Sequence, residues 1–271
     1  MANILNQIIA DKRVEVAAQK ERRPLELVKD AAAGMKKCRN FYTAVTKKHP
    51  RGLNVIAEVK KASPSAGLIR ADFDPVAIAK TYEQCGADAI SVLTDEKYFQ
   101  GKLEYLTAVK KAVGIPVLRK DFIIDPYQVY EARAAGADAV LLIAEALTPA
   151  DLMDLLILAN ELTLTALIEV HNADSLLNVR SLIGFPQKHY SVLGVNNRDL
   201  TTMQVDINNT GRLADLVDHR NELIAESGIK TRQDVEKLIG VGVGGVLIGQ
   251  TLCESESIEG KFNELFAPNR G

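Results

Sequence analysis

The sequence predicts a (β/α)8 barrel, or TIM barrel, preceded by a helical N-terminal extension. Eight short apolar runs alternate with helical segments, and their ends lie roughly 22 to 34 residues apart, the length of one strand–loop–helix–loop unit. The runs are rich in Val, Ile and Leu, which is typical of parallel strands covered by helices. A doubly wound open sheet is the alternative, but no G-x-G-x-x-G motif opens the first helix. All 271 residues are assigned to one domain, 1–271, with the extension at 1–50.

Five of the eight apolar runs end in charged or amide side chains. The first run, residues 54–60, places Glu58 and Lys60 two positions apart, so both should project from the same face of a strand. Opposite charges at the mouth of a buried strand are costly unless they are paired or used. An ordinary surface ion pair is the alternative for this segment, but similar endings recur in four other runs. The remaining runs are residues 89–94, 116–121, 139–143, 165–170, 192–199, 223–228 and 245–249.

The segments between the runs carry the start and stop signals of helices. Asp74-Pro75, Asp125-Pro126 and Thr148-Pro149 each place an N-cap residue before a proline at the first helical position. Gly86-Ala87-Asp88-Ala89 and Gly136-Ala137-Asp138-Ala139 are near-identical junctions between the end of a helix and the next strand. These repeated signals predict successive strand–helix units.

Residues 1–50 are predicted to form helices that pack on the barrel. From Ile4 to about Lys20, apolar residues recur three and four positions apart, and a second short helix starts at Pro24. A membrane-surface helix is the alternative for the first segment. The mixed signs on its polar face argue against that alternative.

Composition argues against several classes of partner. The 33 Lys and Arg residues against 35 Asp and Glu residues give a net charge of -2, which offers no electrostatic case for nucleic acid or an anionic membrane. No signal peptide or span of about 20 apolar residues appears, so we expect a cytoplasmic protein. We also expect a monomer or a weak homo-oligomer.

Cys38, Cys85 and Cys253 lack metal or disulfide spacing and are expected to be small buried side chains. His171 follows the fifth run and is expected to be a solvated loop residue rather than part of the site.

Catalytic groups of such barrels lie at the C-terminal ends of the strands, and phosphate commonly binds in the loops after strands seven and eight. The seventh run ends in Ser227 and Gly228. The eighth ends in Gly249, and Gln250 follows it at the start of a helix, which favours an anion. Interleaved acids and bases at one mouth can divide proton donation from proton abstraction. The residues predicted at this mouth are Glu58, Lys60, Lys120, Glu169, Asn196, Arg198 and Glu226. A structural ring of ion pairs, and Schiff-base chemistry through a lysine, remain open on these grounds.

At these residues the sequence resembles the indole-3-glycerol phosphate synthases of tryptophan biosynthesis. The resemblance extends from the segment KRVEV at 12–16 to the end of the last strand, and its blocks at 57–75, 118–133 and 194–200 are specific among phosphate-binding barrels. The matching blocks are AEVKKASPSAGLIRADFDP at 57–75, ISVLTDEKYFQG at 90–101, LRKDFIIDPYQVYEAR at 118–133, LIEV at 167–170, GVNNRDL at 194–200, AESGI at 225–229 and LIG at 247–249.

The resemblance implies a barrel enzyme that converts 1-(2-carboxyphenylamino)-1-deoxyribulose 5-phosphate to indole-3-glycerol phosphate, carbon dioxide and water, without a metal or cofactor. It implies that Lys120 is the general acid at the ketone oxygen, that Glu169 is the base or acid of the dehydration, and that Lys60 lies near the substrate carboxylate. The other implied catalytic residues are Glu58, Asn196 and Glu226. The implied substrate-binding residues are Ser63, Phe99, Phe122 and Arg198, and the implied phosphate-binding residues are Ser227, Gly228, Gly249 and Gln250.

Three positions depart from the family pattern. Ala66 stands where many members have Lys, Lys102 where Ser is common, and Gln250 where Ser or Glu is frequent beside the phosphate. These departures concern substrate affinity, because none touches the implied proton-transfer residues. Two other functions are considered: another sugar-phosphate aldolase or isomerase barrel, and a barrel kept as a binding or regulatory protein after losing catalysis. Retention of the full set of acid–base residues argues against the second.

Overall fold

Eight parallel strands close into a barrel in the computed structural model, which describes residues 4–199 and 202–267. Consecutive barrel strands pair with one another, and the last closes the ring by pairing with the first, with Asn54 opposite Gly245. The predicted TIM barrel is therefore confirmed, and the doubly wound alternative is excluded because a closed barrel has no open edge. The eight strands are Asn54–Val59, Ala89–Leu93, Val117–Lys120, Ala139–Ile143, Thr165–Val170, Ser191–Asn196, Leu223–Glu226 and Gly245–Ile248.

Helices precede the barrel and connect its strands. A short antiparallel hairpin, Ala62–Ser63 with Gly67–Leu68, lies in the loop after the first strand. The α-helices are α1 (Ile4–Arg22), α2 (Leu25–Ala33), α3 (Phe41–Thr46), α4 (Pro75–Gln84), α5 (Glu96–Phe99), α6 (Leu103–Ala112), α7 (Pro126–Ala135), α8 (Pro149–Glu161), α9 (Ala173–Val179), α10 (Asn208–Ala214), α11 (Arg232–Val241), α12 (Gln250–Cys253) and α13 (Ile258–Phe266). The 3-10 helices are Ala144–Ala146, Arg180–Leu182, Lys188–Tyr190 and Arg220–Glu222.

The helix starts read from the sequence have the expected caps. The side chain of Asp74 accepts hydrogen bonds from two backbone N–H groups of the first turn of α4. Asp125 does the same for one N–H group of α7, and Thr148 for one of α8. Each cap satisfies backbone donors that have no partner inside the helix, and the following proline needs none.

The N-terminal extension is helical, as predicted, and an ion cluster fixes it to the barrel. The Lys12 side chain on α1 is only 1% exposed, and its ammonium lies 2.8 Å from Asp95 and 3.0 Å from Asp121. Those two carboxylates follow the second and third strands, so the contact holds α1 at the C-terminal end of the barrel. No helix within residues 4–199 and 202–267 combines the length and apolar character needed to cross a membrane.

The core has two layers that follow the alternation of side chains along each strand. In the first strand, Val55 and Ala57 belong to the layer between strands and helices, whereas Ile56 belongs to the layer inside the barrel. Successive side chains of a strand point to opposite faces. A residue two positions beyond an interior side chain therefore points toward the barrel axis as well.

The two Gly-Ala-Asp-Ala junctions share a structural role at the N-terminal face of the barrel. Asp88 accepts a hydrogen bond from the backbone N–H of Val55 at 3.0 Å, and Asp138 accepts one from Val117 at 2.8 Å. Each aspartate also pairs with basic side chains, as Asp138 does with Lys110 at 2.5 Å. These repeated contacts bind the start of one strand to the start of the next, at the face where such barrels keep residues for stability.

We expect Asp138→Ala to lower the free energy of unfolding by about 3–5 kcal/mol, because it leaves Lys110 and a buried backbone N–H without their partner. Chemical denaturation followed by circular dichroism measures this loss. Asp154→Ala, at an exposed position of α8, is the matched control and should change stability by less than about 0.5 kcal/mol. Equal stability of the two variants would contradict the structural role of Asp138.

Candidate active site

Strand alternation brings the predicted acid–base residues together at the barrel mouth. Four of them stand two positions after a side chain that fills the barrel interior, so they point inward above that layer. These pairs are Ile56 and Glu58, Leu118 and Lys120, Leu167 and Glu169, and Ile224 and Glu226. The C-terminal ends of parallel strands meet at one end of the barrel, which makes a convergent site from distant parts of the sequence.

Lys120 lies at the centre of an acid–base cluster, which we define as Lys120, Glu169, Asn196 and Glu226. Its Nζ is 2.9 Å from Oε2 of Glu169 and 2.5 Å from Oε2 of Glu226. Asn196 Nδ2 donates a hydrogen bond to Oε1 of Glu169 at 3.1 Å. Both carboxylates are almost fully buried, so one ammonium serves two acids in a site of low polarity.

Burial and mutual charge give these groups different protonation states. Burial disfavours the charged form of Lys120, but Glu169 and Glu226 outweigh this effect and raise its pKa. Burial also acts to raise the pKa of Glu169, yet Lys120 and then His171 hold that pKa well below its ordinary value. For Glu226, burial outweighs the attraction of Lys120, the charge on Glu169 adds to burial, and the pKa rises to about 8. These shifts favour the ionised form of Glu169 and the protonated form of Glu226 at neutral pH.

A second ion pair lies at the end of the first strand. Lys60 Nζ is 3.2 Å from Oε1 of Glu58, as expected for side chains that project the same way. The Lys60 ammonium also lies 5.6 Å from the centre of the Phe99 ring, and the rings of Phe99 and Phe122 are 6.2 Å apart. A charged group thus adjoins an aromatic wall, which suits a ligand that has both an aryl ring and an anionic substituent.

All the residues predicted for the site line one cavity that opens to solvent. Ile4 and Ile8 of α1 also line it, so the N-terminal extension contributes to its wall. The predicted residues on this cavity are Glu58, Lys60, Ser63, Phe99, Lys120, Phe122, Glu169, Asn196, Arg198, Glu226, Ser227, Gly228, Gly249 and Gln250.

Two loops form the polar end of the cavity, and we call residues 227–229 and 249–251 the anion loops. Ser227 and Gly228 both have positive φ, 66° and 82°, which produces a tight turn. Thr251 Oγ1 donates a hydrogen bond to the Ile229 carbonyl at 2.6 Å and joins the two loops. The Gln250 side chain instead donates to Glu254 at 2.6 Å, so its backbone N–H is the group left for an anion.

Arg198 and Ser63 hold the loops around the entrance. The Arg198 guanidinium donates a hydrogen bond to the Met203 carbonyl at 3.1 Å, and burial lowers its pKa. Ser63 Oγ accepts a hydrogen bond from the backbone N–H of Ala66 at 3.2 Å in the hairpin after the first strand. Both side chains therefore lie at the cavity wall without joining the acid–base cluster.

The expectation for His171 is wrong. Its side chain is 7% exposed, with Nδ1 2.9 Å from Glu145 and Nε2 3.2 Å from Glu169. A histidine one residue beyond a strand looks like a loop residue, and only the position of Glu145 after the fourth strand could have suggested a partner. Sequence reasoning also missed Gly194, where a Cβ would come 2.3 Å from Oε1 of Glu226. Because Gly194 has no side chain, it leaves room for the Glu226 carboxyl.

Comparison with solved structures shows the same fold at low sequence identity. Thiamine phosphate pyrophosphorylase from Pyrococcus furiosus gives a TM-score of 0.54 at 15% identity, covering 79% of this chain and 94% of its own. The N-acetylmannosamine-6-phosphate 2-epimerase from Clostridium perfringens gives a TM-score of 0.55 at 15% identity, covering 76% and 91%. At this identity the likeness shows the barrel fold alone.

The closed barrel and its acid–base cavity define an enzyme of the TIM-barrel class. The family model described as indole-3-glycerol phosphate synthase matches residues 5–265. The protein of that name from Neisseria meningitidis serogroup B is 47% identical over 98% of this chain and 100% of its own length. That from Geobacillus sp. (strain WCH70) is 44% identical over 97% of this chain and 96% of its own. The chain belongs to the indole-3-glycerol phosphate synthase family, the decarboxylating lyases that act in tryptophan biosynthesis.

We expect one glutamate carboxyl to titrate with a midpoint near pH 8, because burial keeps Glu226 neutral below that pH. Carbon-13 NMR of protein labelled at the glutamate side-chain carboxyls measures it. The titration should vanish in Glu226→Gln and remain in the control Glu259→Gln, at an exposed position of α13. Persistence of the same titration in Glu226→Gln would place the proton on another group.

Proposed function

We propose that this cavity catalyses the ring closure, decarboxylation and dehydration of 1-(2-carboxyphenylamino)-1-deoxyribulose 5-phosphate. Lys120 and Glu169 are its principal acid–base residues. The observation that carries the proposal is the Lys120 ammonium held between Glu169 and Glu226 at 2.9 and 2.5 Å. This arrangement supplies a proton donor and an ionised base within one hydrogen bond of each other. The reaction of the family needs a proton donor for ring closure and then a base for dehydration.

Ring closure needs an acid at the ketone oxygen and a correctly placed aryl ring. The aromatic carbon that bears the carboxylate attacks the ketone carbon, and the ketone oxygen takes a proton from Lys120 as the new bond forms. Because attack interrupts the aromaticity of the ring, the ring must be held close to the carbonyl beforehand. Phe99 and Phe122 provide the apolar surface for this placement, at the side of the cavity where Lys60 lies.

Loss of carbon dioxide restores the aromatic ring, and loss of water completes the indole. Lys60 binds the substrate carboxylate before it leaves, and Glu58 orients that ammonium through the contact of 3.2 Å. In the dehydration, an acid protonates the departing hydroxyl while Glu169 accepts the proton that is released as the double bond forms. Lys60 can serve as that acid with the ammonium that it presents to the cavity, and Lys120 can do so once solvent has returned the proton that it gave to the ketone oxygen.

The two ends of the cavity bind the two ends of the substrate. The anion loops receive the phosphate through their backbone N–H groups and the Ser227 hydroxyl, a polar cradle of the kind found after the last two strands of such barrels. Ser63 and Arg198 border the substrate between the phosphate and the ring. Asn196 orients Glu169 through its hydrogen bond of 3.1 Å and contacts the polar groups of the substrate.

A Schiff-base aldolase is the competing enzyme function, and the electrostatics oppose it. A nucleophilic lysine must lose its proton near neutral pH. The carboxylates beside Lys120 raise its pKa instead, so it stays an ammonium and acts as an acid. Borohydride treatment with substrate should therefore leave no covalent adduct on Lys120. A lapsed binding barrel is disfavoured because the acid–base cluster retains its full set of contacts.

We also propose that the chain forms one domain, acts in a reducing cytoplasm and is a monomer or a weak homo-oligomer without nucleic-acid partners. A single closed barrel with its extension supports one domain, and the net charge of -2 offers no attraction for nucleic acid.

Cys38, Cys85 and Cys253 are free, which is typical of a reducing compartment. Only Cys253 is buried, so the expected burial of the other two was wrong in degree. Size-exclusion chromatography with light scattering measures the oligomeric state.

Lys120→Ala should lower kcat by about 100-fold or more while the chain stays folded, because it removes the general acid. Turnover is measured with the synthetic substrate in a stopped assay that follows the fluorescence of indole-3-glycerol phosphate. Circular dichroism measures folding. Lys111→Ala, at an exposed position of α6, is the control and should retain kcat. Normal turnover in Lys120→Ala would remove this residue from the acid role.

Gly249→Ala should lower kcat/KM by about 100-fold, because the added Cβ would come 2.6 Å from Oε1 of Glu58 and displace a group at the reacting centre. Steady-state kinetics of the same assay measures it. Gly240→Ala on α11 is the matched control, since a Cβ there meets nothing within 4 Å. An active Gly249→Ala variant would show that this approach of backbone to carboxylate is not needed.

A further inference from the structure

The buried imidazole of His171 is held from outside the cavity by Glu145. Glu145 Oε1 accepts a hydrogen bond from the His171 backbone N–H at 2.9 Å, and Oε2 lies 2.9 Å from Nδ1 of the ring. The carboxylate thus fixes both the backbone and the ring orientation. Asn209 Nδ2 donates to the His171 carbonyl at 2.9 Å and fixes the other side of the residue.

The second ring nitrogen faces the acid–base cluster. Nε2 lies 3.2 Å from Oε1 of Glu169, close enough for an ion pair. Among the described residues Nε2 has no hydrogen-bond partner, so charge rather than a directed hydrogen bond links it to Glu169. His171 does not line the cavity. It contacts the proposed base from behind, on the side away from the substrate.

Five acidic and basic residues, from Glu145 to Glu226, form a row across the barrel mouth. Glu145, just after the fourth strand, is followed by His171, Glu169, Lys120 and Glu226, so acidic and basic side chains alternate along the row. Glu169 has a cationic neighbour on both sides, whereas Glu226 has only Lys120 among residues 4–199 and 202–267. The row therefore favours the negative charge on Glu169 and the proton on Glu226.

We propose that His171 is a positioning residue: its imidazolium holds Glu169 ionised and oriented for proton abstraction, and Glu145 keeps that imidazolium charged and in place. The inference rests on the proposed role of Glu169 as the base. It assigns a part in the chemistry to two residues, His171 and Glu145, that do not contact the substrate.

The charges around His171 support a permanent cation. Burial lowers the pKa of the imidazole, but the hydrogen bond with Glu145 and the contact with Glu169 outweigh it and raise the pKa to about 10. Asp206 and Arg212 also line the groove beside the ring, and they pair with each other at 2.9 Å. The charged groups that contact the imidazole, lie beyond Glu169 or line this groove are Glu145, Glu169, Lys120, Asp199, Asp206 and Arg212.

The pH dependence of kcat tests the proposal in His171→Gln, which removes the cation and keeps a similar volume. Loss of an opposite charge within about 4–6 Å should raise the pKa of Glu169 by about 1–3 units. We therefore expect the acidic limb of kcat to move up by about 1–3 pH units, with KM changed less than about twofold because His171 does not line the cavity. The loss of kcat in His171→Gln should be small near pH 8 and should grow as the pH falls toward the raised pKa of Glu169.

A merely structural role would lower kcat by the same factor at every pH, and that result would overturn the proposal. Asp174→Asn, at an exposed position of α9, is the control and should keep the profile of the unaltered protein. Glu169→Gln separates the two hypotheses. An active Glu169→Gln would refute the proposed function, whereas an inactive one beside an unshifted His171→Gln would refute only the role of His171.

Nitrogen-15 NMR of the unaltered protein tests the proposal without reliance on the folding of a variant. Both nitrogens of His171 should stay protonated from pH 6 to 9, and Glu145→Gln should bring the titration down toward the ordinary histidine value of about 6.5. A His171 that titrates near 6.5 in the unaltered protein would overturn the proposal.

Discussion

The burial of one ammonium between two carboxylates is the interaction on which the site depends. Moving charges out of water is expensive, and the cost is recovered only if each charge is paired with good geometry. Lys120 meets this condition through contacts with Glu169 and Glu226 at 2.9 and 2.5 Å. With two carboxyl groups beside one lysine, the free-energy cost of ionisation is not the same for every group of the cluster. The unequal surroundings of the two glutamates then decide which of them holds the proton.

The barrel supplies the geometry that this interaction requires. Residues distant in sequence reach the same point because parallel strands end at one face and every second side chain points to the axis. The N-terminal extension completes the arrangement from above. Asp121, directly after Lys120, pairs with the buried Lys12 of α1, so the end of the third strand is bound to α1 next to its catalytic candidate. Fold and site therefore stabilise each other at the same strand end.

Much of this architecture is predictable from sequence because it depends on local patterns. Apolar runs and proline-associated caps define the strands and helices, and charged strand ends identify the mouth. The partners of His171 are not predictable in this way, since its contact with Glu145 depends on the register of the fourth and fifth strands, which places Ile143 opposite Glu169, and on the turn after each strand. The protonation of Glu226 is not predictable either, because Glu169 and Glu226 have the same side chain and differ only in their neighbours. The role of the Asp88 and Asp138 junctions is intermediate: the repeat is visible in the sequence, but its hydrogen bonds are not.

Gly194 constrains the order in which this sequence can change. A side chain at that position would occupy the space of the Glu226 carboxyl, so any larger residue is incompatible with an intact cluster. Substitution there becomes tolerable only after position 226 has lost its long acidic side chain. Among descendants of such a barrel that have abandoned catalysis, a bulky residue at 194 would therefore mark a lineage in which the glutamate disappeared first, and would make return to the ancestral chemistry a two-step path.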